Sequence, residues 1–247
     1  MKKKLKIIGL IPARWGSTRF VGKPLANILG KSMIRRVYEQ AKKSKLLNDV
    51  IVVTDDERIQ DECLSHSMEC ILKKVKCHTG TDRIANVIQD IEADIFVNIQ
   101  GDEPLIDPDS IDKVIKELIK SKNIATSNAY TEIRESYKVI DTDVVKVIFN
   151  NKFEAIYYSR SPIPYPKTSN HIFFQQLGLY AFKKSALKKF KSLKPGKLEI
   201  SEGIEMLRFL ENELIVKMVK VEDIGLSVDA PKDIKYIENY LKKESNV

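Results

Sequence analysis

Leu5-Lys6-Ile7-Ile8-Gly9-Leu10-Ile11 runs into Pro12-Ala13-Arg14-Trp15-Gly16-Ser17-Thr18-Arg19 and then Gly22-Lys23-Pro24. A short apolar run, closed by proline and by a loop rich in glycine, hydroxyls and cations, reads as a buried strand feeding a binding loop. The same grammar repeats downstream. Ser32 precedes a periodic stretch to about Leu46, which is expected to be a helix with Ser32 near its N-cap. Val50-Ile51-Val52-Val53 reads as a second strand that stops at Thr54-Asp55-Asp56, where Asp55 or Asp56 caps a helix containing Ile59 and Cys63. A third strand is expected over 68–72 and a helix over 82–91. Ile95-Phe96-Val97-Asn98-Ile99 is then a central strand that ends at Gln100-Gly101-Asp102-Glu103-Pro104. Strands alternating with helices define an α/β fold with a mostly parallel sheet, and such sheets bind ligands just beyond the carboxyl ends of their strands.

Beyond about Ile124 the alternation changes character. Val144-Val145-Lys146-Val147-Ile148-Phe149, Asn150-Asn151 and Ala155-Ile156-Tyr157-Tyr158-Ser159 read as a hairpin with a short polar turn. Pro162, Pro164 and Pro166 make the next stretch extended. Helices near 185–190 and 201–211 follow Gln175-Gln176-Leu177-Gly178-Leu179-Tyr180-Ala181-Phe182, and a strand is expected at 214–219. Ser227-Val228-Asp229-Ala230-Pro231-Lys232-Asp233 opens a terminal helix whose apolar stripe is Ile234, Ile237 and Leu241. No repeat, low-complexity tract or linker interrupts the chain, so residues 1–247 read as a single domain with a smaller lobe at about 125–210.

A chain of 247 residues with 43% hydrophobic and 31% charged content can bury one large core, which excludes disorder for most of it. No apolar run approaches the roughly 20 residues of a membrane-spanning helix, and Met1-Lys2-Lys3-Lys4 leads into a strand rather than a secretory segment. A cytoplasmic protein with no membrane partner is therefore expected. The net charge of +8 raises nucleic acid as a partner, yet the lysines are scattered in pairs such as Lys42-Lys43 and Lys188-Lys189 along amphipathic stretches. Without a clustered basic face, no nucleic-acid partner is expected. Cys63, Cys70 and Cys77 fit no zinc spacing and no disulfide framework, and His78 beside Cys77 lacks further ligands for a metal.

The first loop sets Arg14, Arg19 and Lys23 just after a strand. Backbone N–H groups of such a loop approach phosphate oxygens closely, while the cations neutralise a nucleoside triphosphate of charge roughly −4. No G-x-x-x-x-G-K-[ST] occurs, so a Walker geometry is not implied. Asp102 and Asp229 both lie at expected strand-to-helix turns. Mg²⁺ takes few carboxylates and completes its octahedron with water and phosphate oxygens, so two aspartates meeting over a triphosphate would suffice. Each read alone is more often an N-cap or turn residue, and Asp229 before Ala230-Pro231 also reads as a cap of the last helix.

Five collinear motifs then carry a resemblance over nearly the whole chain. They are Ile11-Pro12-Ala13-Arg14 with Ser17-Thr18-Arg19 and Gly22-Lys23-Pro24-Leu25; Thr54-Asp55-Asp56-Glu57-Arg58-Ile59; His78-Thr79-Gly80-Thr81-Asp82-Arg83; Asn98-Ile99-Gln100-Gly101-Asp102-Glu103-Pro104-Leu105; and Tyr158-Ser159-Arg160-Ser161-Pro162-Ile163-Pro164. Together they resemble the 3-deoxy-manno-octulosonate (KDO) cytidylyltransferase family. The resemblance implies a Rossmann-like nucleotidyltransferase with a smaller mixed-sheet, dimerisation and sugar-binding lobe. It further implies a homodimer that uses CTP and Mg²⁺ to activate a 2-keto-3-deoxy sugar acid for lipopolysaccharide.

By the same resemblance Arg14 and Lys23 hold the triphosphate and, with Asp102, are catalytic. Pro12, Ala13, Thr54, Asp55, Thr79, Gly80, Thr81, Arg83 and Gln100 contribute to the nucleotide site, and Asp102 and Asp229 bind the metal. Arg160 is expected near the sugar carboxylate, with Gln100, Gln176, Tyr180, Glu205 and Met206 completing the sugar pocket.

The chain departs from the family pattern at Gln176, where histidine is usual, and at Met206, where glutamine is usual. Val21 for proline, Thr79 for serine and Ala230 for threonine are smaller changes at the nucleotide end. Losing one hydrogen-bonding partner in a sugar pocket shifts discrimination by roughly 1–3 kcal/mol, which opens an 8-amino sugar acid as an alternative to KDO. Simple packing by Met206 is the other reading. A phosphorylated neutral sugar and a non-catalytic nucleotide-binding module are the remaining alternatives, the latter opposed by the presence of Arg14, Lys23, Asp102 and Asp229.

Overall fold

The computed structural model describes residues 4–16, 19–121, 123–168, 171–222 and 227–244; Ser17 and Thr18 of the first motif lie outside the described residues. The opening apolar run forms β1 (Ile7–Ala13), with Ile7, Ile11 and Ala13 in one core cluster and Ile8 and Leu10 in another. Burial on both faces is what a central parallel strand requires. A 3-10 turn at Lys23–Leu25 and a small antiparallel pair, β2 (Asn27–Ile28) and β3 (Lys31–Ser32), lead to α1 (Met33–Ala41). Ser32 caps α1 by accepting from the Arg35 N–H. The helix ends before Leu46 because Asp112 accepts from Ser44 Oγ and from the Lys45 and Leu46 N–H groups, folding that segment into a turn.

β4 (Asp49–Thr54), α2 (Glu57–Ser65) with Asp56 as its N-cap, β5 (Cys70–Leu72), α3 (Gly80–Ala85) and β6 (Ile95–Ile99) follow. α3 is shorter than expected and begins with a reciprocal capping box, Thr79 Oγ1 to the Asp82 N–H and Asp82 to the Thr79 N–H. Next come α4 (Pro108–Lys120), β7 (Thr126–Glu132), α5 (Ser136–Ile140), β8 (Lys146–Phe149), β9 (Ala155–Ser159) and β10 (Phe174–Lys183). The chain closes with α6 (Lys184–Ser192), α7 (Lys197–Glu202), α8 (Leu207–Leu210), β11 (Val216–Lys220) and α9 (Pro231–Glu244). The single helix expected over 201–211 is broken at Gly203, whose φ of 64° is the left-handed conformation that ends α7.

Among the described residues nine strands share one sheet, ordered β11-β7-β10-β6-β1-β4-β5, with β8 and β9 branching from β10. β6, β1, β4 and β5 are mutually parallel and β11 is parallel to β7, while β10 runs antiparallel between β6 and β7. The range 125–210 thus supplies β7 and β10 to the main sheet as well as the β8–β9 hairpin. Ile234, Ile237 and Leu241 of α9 pack on Ile28 and Met33, so the terminal helix closes over the segment that follows the first loop. No helix among the described residues is long and apolar enough to cross a membrane.

Candidate active site

Parallel strands deliver their carboxyl ends to one side, and Ala13 of β1 stands beside Thr54 of β4 in register. A cavity of about 540 Å³ opens there. Pro12, Ala13, Arg14 and Lys23 line it from the first loop, Thr79, Gly80 and Arg83 from the start of α3, and Gln100 and Asp102 from the end of β6. Asp229 lines it from the turn before α9, and Arg160, Gln176, Tyr180 and Glu205 from the side of the β8–β9 branch and β10. The cavity therefore unites residues up to 217 positions apart, from Pro12 to Asp229.

Four expected residues stand behind this wall rather than in it. Thr54 is fully buried and its Oγ1 accepts from the Asp56 N–H at 3.2 Å. Asp55 accepts from Arg83 Nη2 at 2.8 Å. Thr81 donates from its N–H and Oγ1 to Glu205, at 3.1 and 2.7 Å. Met206 is fully buried in the core cluster around Phe182 and Phe209, which is packing, not a wall of the cavity.

Charge is concentrated at the loop end. Lys23 Nζ lies 2.6 Å from Asp102 and 3.8 Å from Asp229, and Arg19 bridges Asp229 and Asp143 at 2.9 Å each. The Val228 N–H donates to the Asp102 carbonyl at 3.0 Å, locking the two aspartate-bearing turns together. The turn before α9 does not use Asp229 as its acceptor: Asp233 accepts from the N–H groups of Asp229 and Ala230 instead. The Asp229 carboxylate is thereby left to face Asp102 and the cations. Burial raises the Asp229 pKa, and the neighbouring Asp102 adds to the rise while Lys23 and Arg19 oppose it.

Arg14 is exposed and has no ion pair among the described residues, so its charge is uncompensated at the cavity mouth. Arg83, by contrast, is 6% exposed; its Nη2 pairs with Asp55, but its Nη1 is a buried donor with no partner among the described residues. Such an orphan donor beside an open cavity marks a place for a ligand acceptor. The loop itself is braced by a contact that composition alone did not signal, the Arg58 guanidinium lying 3.5 Å over the Trp15 ring. Gly22 closes the turn beneath that ring at a φ of 71°, where a Cβ would meet Trp15 at 2.9 Å.

At the other end, burial raises the Glu205 carboxyl above the usual range, against the hydrogen bonds from Thr81. Burial likewise lifts the Tyr180 phenol well above its ordinary value, so it remains protonated. Gln176 Nε2 donates to Tyr180 Oη and to the Leu177 carbonyl, which turns its amide hydrogens back onto the protein. Gly178 fits here because a Cβ would fall on Gln100 Cγ. Gly178→Ala is expected to swing Gln100 out of place and lower kcat/KM about tenfold without loss of folding, checked by steady-state kinetics beside a thermal melt.

Both ends are joined by Arg208, which is 2% exposed. It grips Glu199 of α7 with Nε and Nη2 at 2.7 and 2.6 Å, donates from Nη1 to Asp82 of the α3 capping box at 2.8 Å, and lies over Phe190 at 3.8 Å. Burial works against the charge, but the bonds to Glu199 and Asp82 outweigh it and raise the arginine pKa. Arg208→Met would strand two carboxylates and is expected to cost about 3–5 kcal/mol in urea unfolding; a loss below about 1 kcal/mol would contradict this reading.

The model of the family described as cytidylyltransferase matches residues 8–224, from β1 to just beyond β11. The chain belongs to the cytidylyltransferase family. Relatives of this cytidylyltransferase include the 3-deoxy-manno-octulosonate cytidylyltransferase of Chlamydia caviae, 40% identical over all of this chain and 99% of that protein. The mitochondrial 3-deoxy-manno-octulosonate cytidylyltransferase of Arabidopsis thaliana is 37% identical over 99% of this chain and 86% of that one. Among solved structures, CMP:2-keto-3-deoxy-manno-octonic acid synthetase complexed with CTP superposes with a TM-score of 0.92 at 32% identity, covering 97% of the cytidylyltransferase and 99% of that chain.

Proposed function

We infer that this cytidylyltransferase transfers CMP from CTP to the anomeric 2-hydroxyl of 3-deoxy-manno-octulosonate, releasing pyrophosphate, in lipopolysaccharide biosynthesis. The observation that carries the reading is one cavity with Lys23, Asp102 and Asp229 converging at one end and, at the other, Arg160, whose guanidinium pairs with no carboxylate among the described residues. Arg14 and Lys23 take the triphosphate, whose leaving pyrophosphate develops charge as the bond to the α-phosphorus breaks. The 2-hydroxyl oxygen forms the new bond to that phosphorus in line and gives up its proton. Arg83 Nη1, buried and unpartnered among the described residues, suits an acceptor of the cytosine ring. Arg160 receives the sugar carboxylate, which a neutral sugar phosphate would not supply. Met206 lies in the core rather than on the cavity wall, which supports KDO over the amino sugar.

Asp102 and Asp229 fit a magnesium ion, since two oxygen-donor carboxylates meet beside one lysine in a site open to phosphate oxygens. Bound there, the ion supplies charge neutralisation and lowers the pKa of the attacking hydroxyl. A cytoplasmic homodimer completes the proposal, supported by exposed apolar side chains at Ile156, Tyr165 and Ile200, and light scattering tests it. The activity is tested by pyrophosphate release with Mg²⁺ across CTP, UTP, ATP and GTP, each with KDO, 8-amino-KDO, a sialic acid and sugar 1-phosphates. Fastest release with CTP and KDO is expected; no release with CTP and any sugar acid would overturn the proposal.

A further inference from the structure

Arg160 owes its pose to a buried scaffold outside the cavity. Lys146 of β8 is fully buried, and its Nζ donates to the carbonyls of Asp141, Val144 and Arg160. An ammonium has three donors, and here all of them are used to tie the 141–144 loop to the segment after β9. Glu202, at the end of α7, works from the opposite side. Its carboxylate accepts from Ser159 Oγ at 2.7 Å and from the Arg160 N–H at 2.8 Å, and its own carbonyl accepts from Arg160 Nε at 2.7 Å. Arg160 Nη1 donates to the Thr142 carbonyl at 2.7 Å, within the loop that Lys146 secures. The guanidinium is thus clamped through Nε and Nη1 by neutral carbonyls, which leave its charge uncancelled and its Nη2 edge unbonded among the described residues.

The same loop carries Asp143, the partner of Arg19, so its position also bears on the charged end of the cavity. Lys146 faces Asp141, Arg160 and Glu202, and burial lowers its pKa below the ordinary lysine value. A buried lysine with no carboxylate hydrogen-bonded to it among the described residues is an expensive way to pack a hairpin, and a methionine would fill the space at less cost. What it gains is geometry: among the described residues it is the one donor group joining the loop, its own strand and the Arg160 carbonyl.

We propose that Lys146, together with Glu202, is a positioning residue that holds Arg160 in the pose that receives the sugar carboxylate. This rests on the reading of Arg160 as the carboxylate anchor. The test is a double-mutant cycle of Lys146→Met and Arg160→Gln, with KM for the sugar acid and for CTP measured in the full chain by pyrophosphate release. Lys146→Met is expected to raise the sugar-acid KM about tenfold while the CTP KM stays within about twofold, because misplacing an orienting group weakens only the partner it orients. Arg160→Gln is expected to raise the sugar-acid KM about a hundredfold, and the double variant to be no worse than Arg160→Gln alone. Independent, multiplying losses, or a parallel rise in both KM values, would overturn the positioning role. An unchanged sugar-acid KM in Lys146→Met, with Arg160→Gln impaired, would also overturn it and leave the anchor standing; an unimpaired Arg160→Gln would sink the anchor itself. If Lys146→Met does not melt cooperatively, Glu202→Gln takes its place in the cycle under the same criteria.

Discussion

Lys23→Met is expected to lower kcat/KM by about 10³-fold, the largest loss of any single side chain in the cavity. Lys23 serves both sides of the reaction's charge balance. In the free protein its ammonium sits 2.6 Å from Asp102 and 3.8 Å from Asp229, where it offsets their mutual repulsion. With a triphosphate in place, the same ammonium can address phosphate oxygens as negative charge builds on the departing pyrophosphate. Methionine keeps the stem and removes the charge, so both contributions vanish while packing against the loop is retained. Lys23→Arg should recover little, because a planar fork does not fit where a compact point charge with 14% side-chain exposure stands between two carboxylates. Steady-state kinetics over CTP concentration checks this, and a kcat/KM for Lys23→Met within about fivefold of wild type would refute it.

The convergence of the loop end of this cavity was legible in the sequence because its residues are local: Pro12, Ala13, Arg14 and Lys23 occupy one loop, and Thr79, Gly80 and Arg83 one helix start. What escaped were features set by tertiary contact. β7 reads as Thr126-Ser127-Asn128-Ala129-Tyr130, with no apolar run, yet it is buried. Its polar side chains are each satisfied across the sheet or by α4, Thr126 Oγ1 on the Ala181 carbonyl, Ser127 Oγ on that of Val114, and Asn128 Nδ2 on those of Leu177 and Leu179. Hydropathy cannot announce a strand whose burial depends on partners 13 to 55 residues away. The break at Gly203 had a signal, the glycine itself, but the amphipathic residues on either side masked it. It matters because it sets Glu205 at the cavity and turns Met206 into the core. For Asp229 the sequence left capping and ligation both open, and the structure gives the capping role to Asp233.

Asp102→Asn is expected to cut turnover by about 10²–10³-fold at saturating Mg²⁺ and to raise the Mg²⁺ concentration needed for half-maximal rate. The substitution is nearly isosteric, and the amide oxygen can still accept from Lys23, so the melting temperature should move by no more than a few degrees. Function and fold are therefore separable at this position. The charge is what changes: a neutral amide is a poor ligand for a hard cation, and Asp229 alone must then hold it beside a lysine and Arg19 that compete for the same carboxylate. With both aspartates on one ion, as proposed, the double variant with Asp229→Asn should be scarcely slower than Asp102→Asn. Multiplying losses would mean that the two carboxylates serve different steps. Full turnover by Asp102→Asn at saturating Mg²⁺ would remove Asp102 from the metal site and leave its side chain with its contact to Lys23.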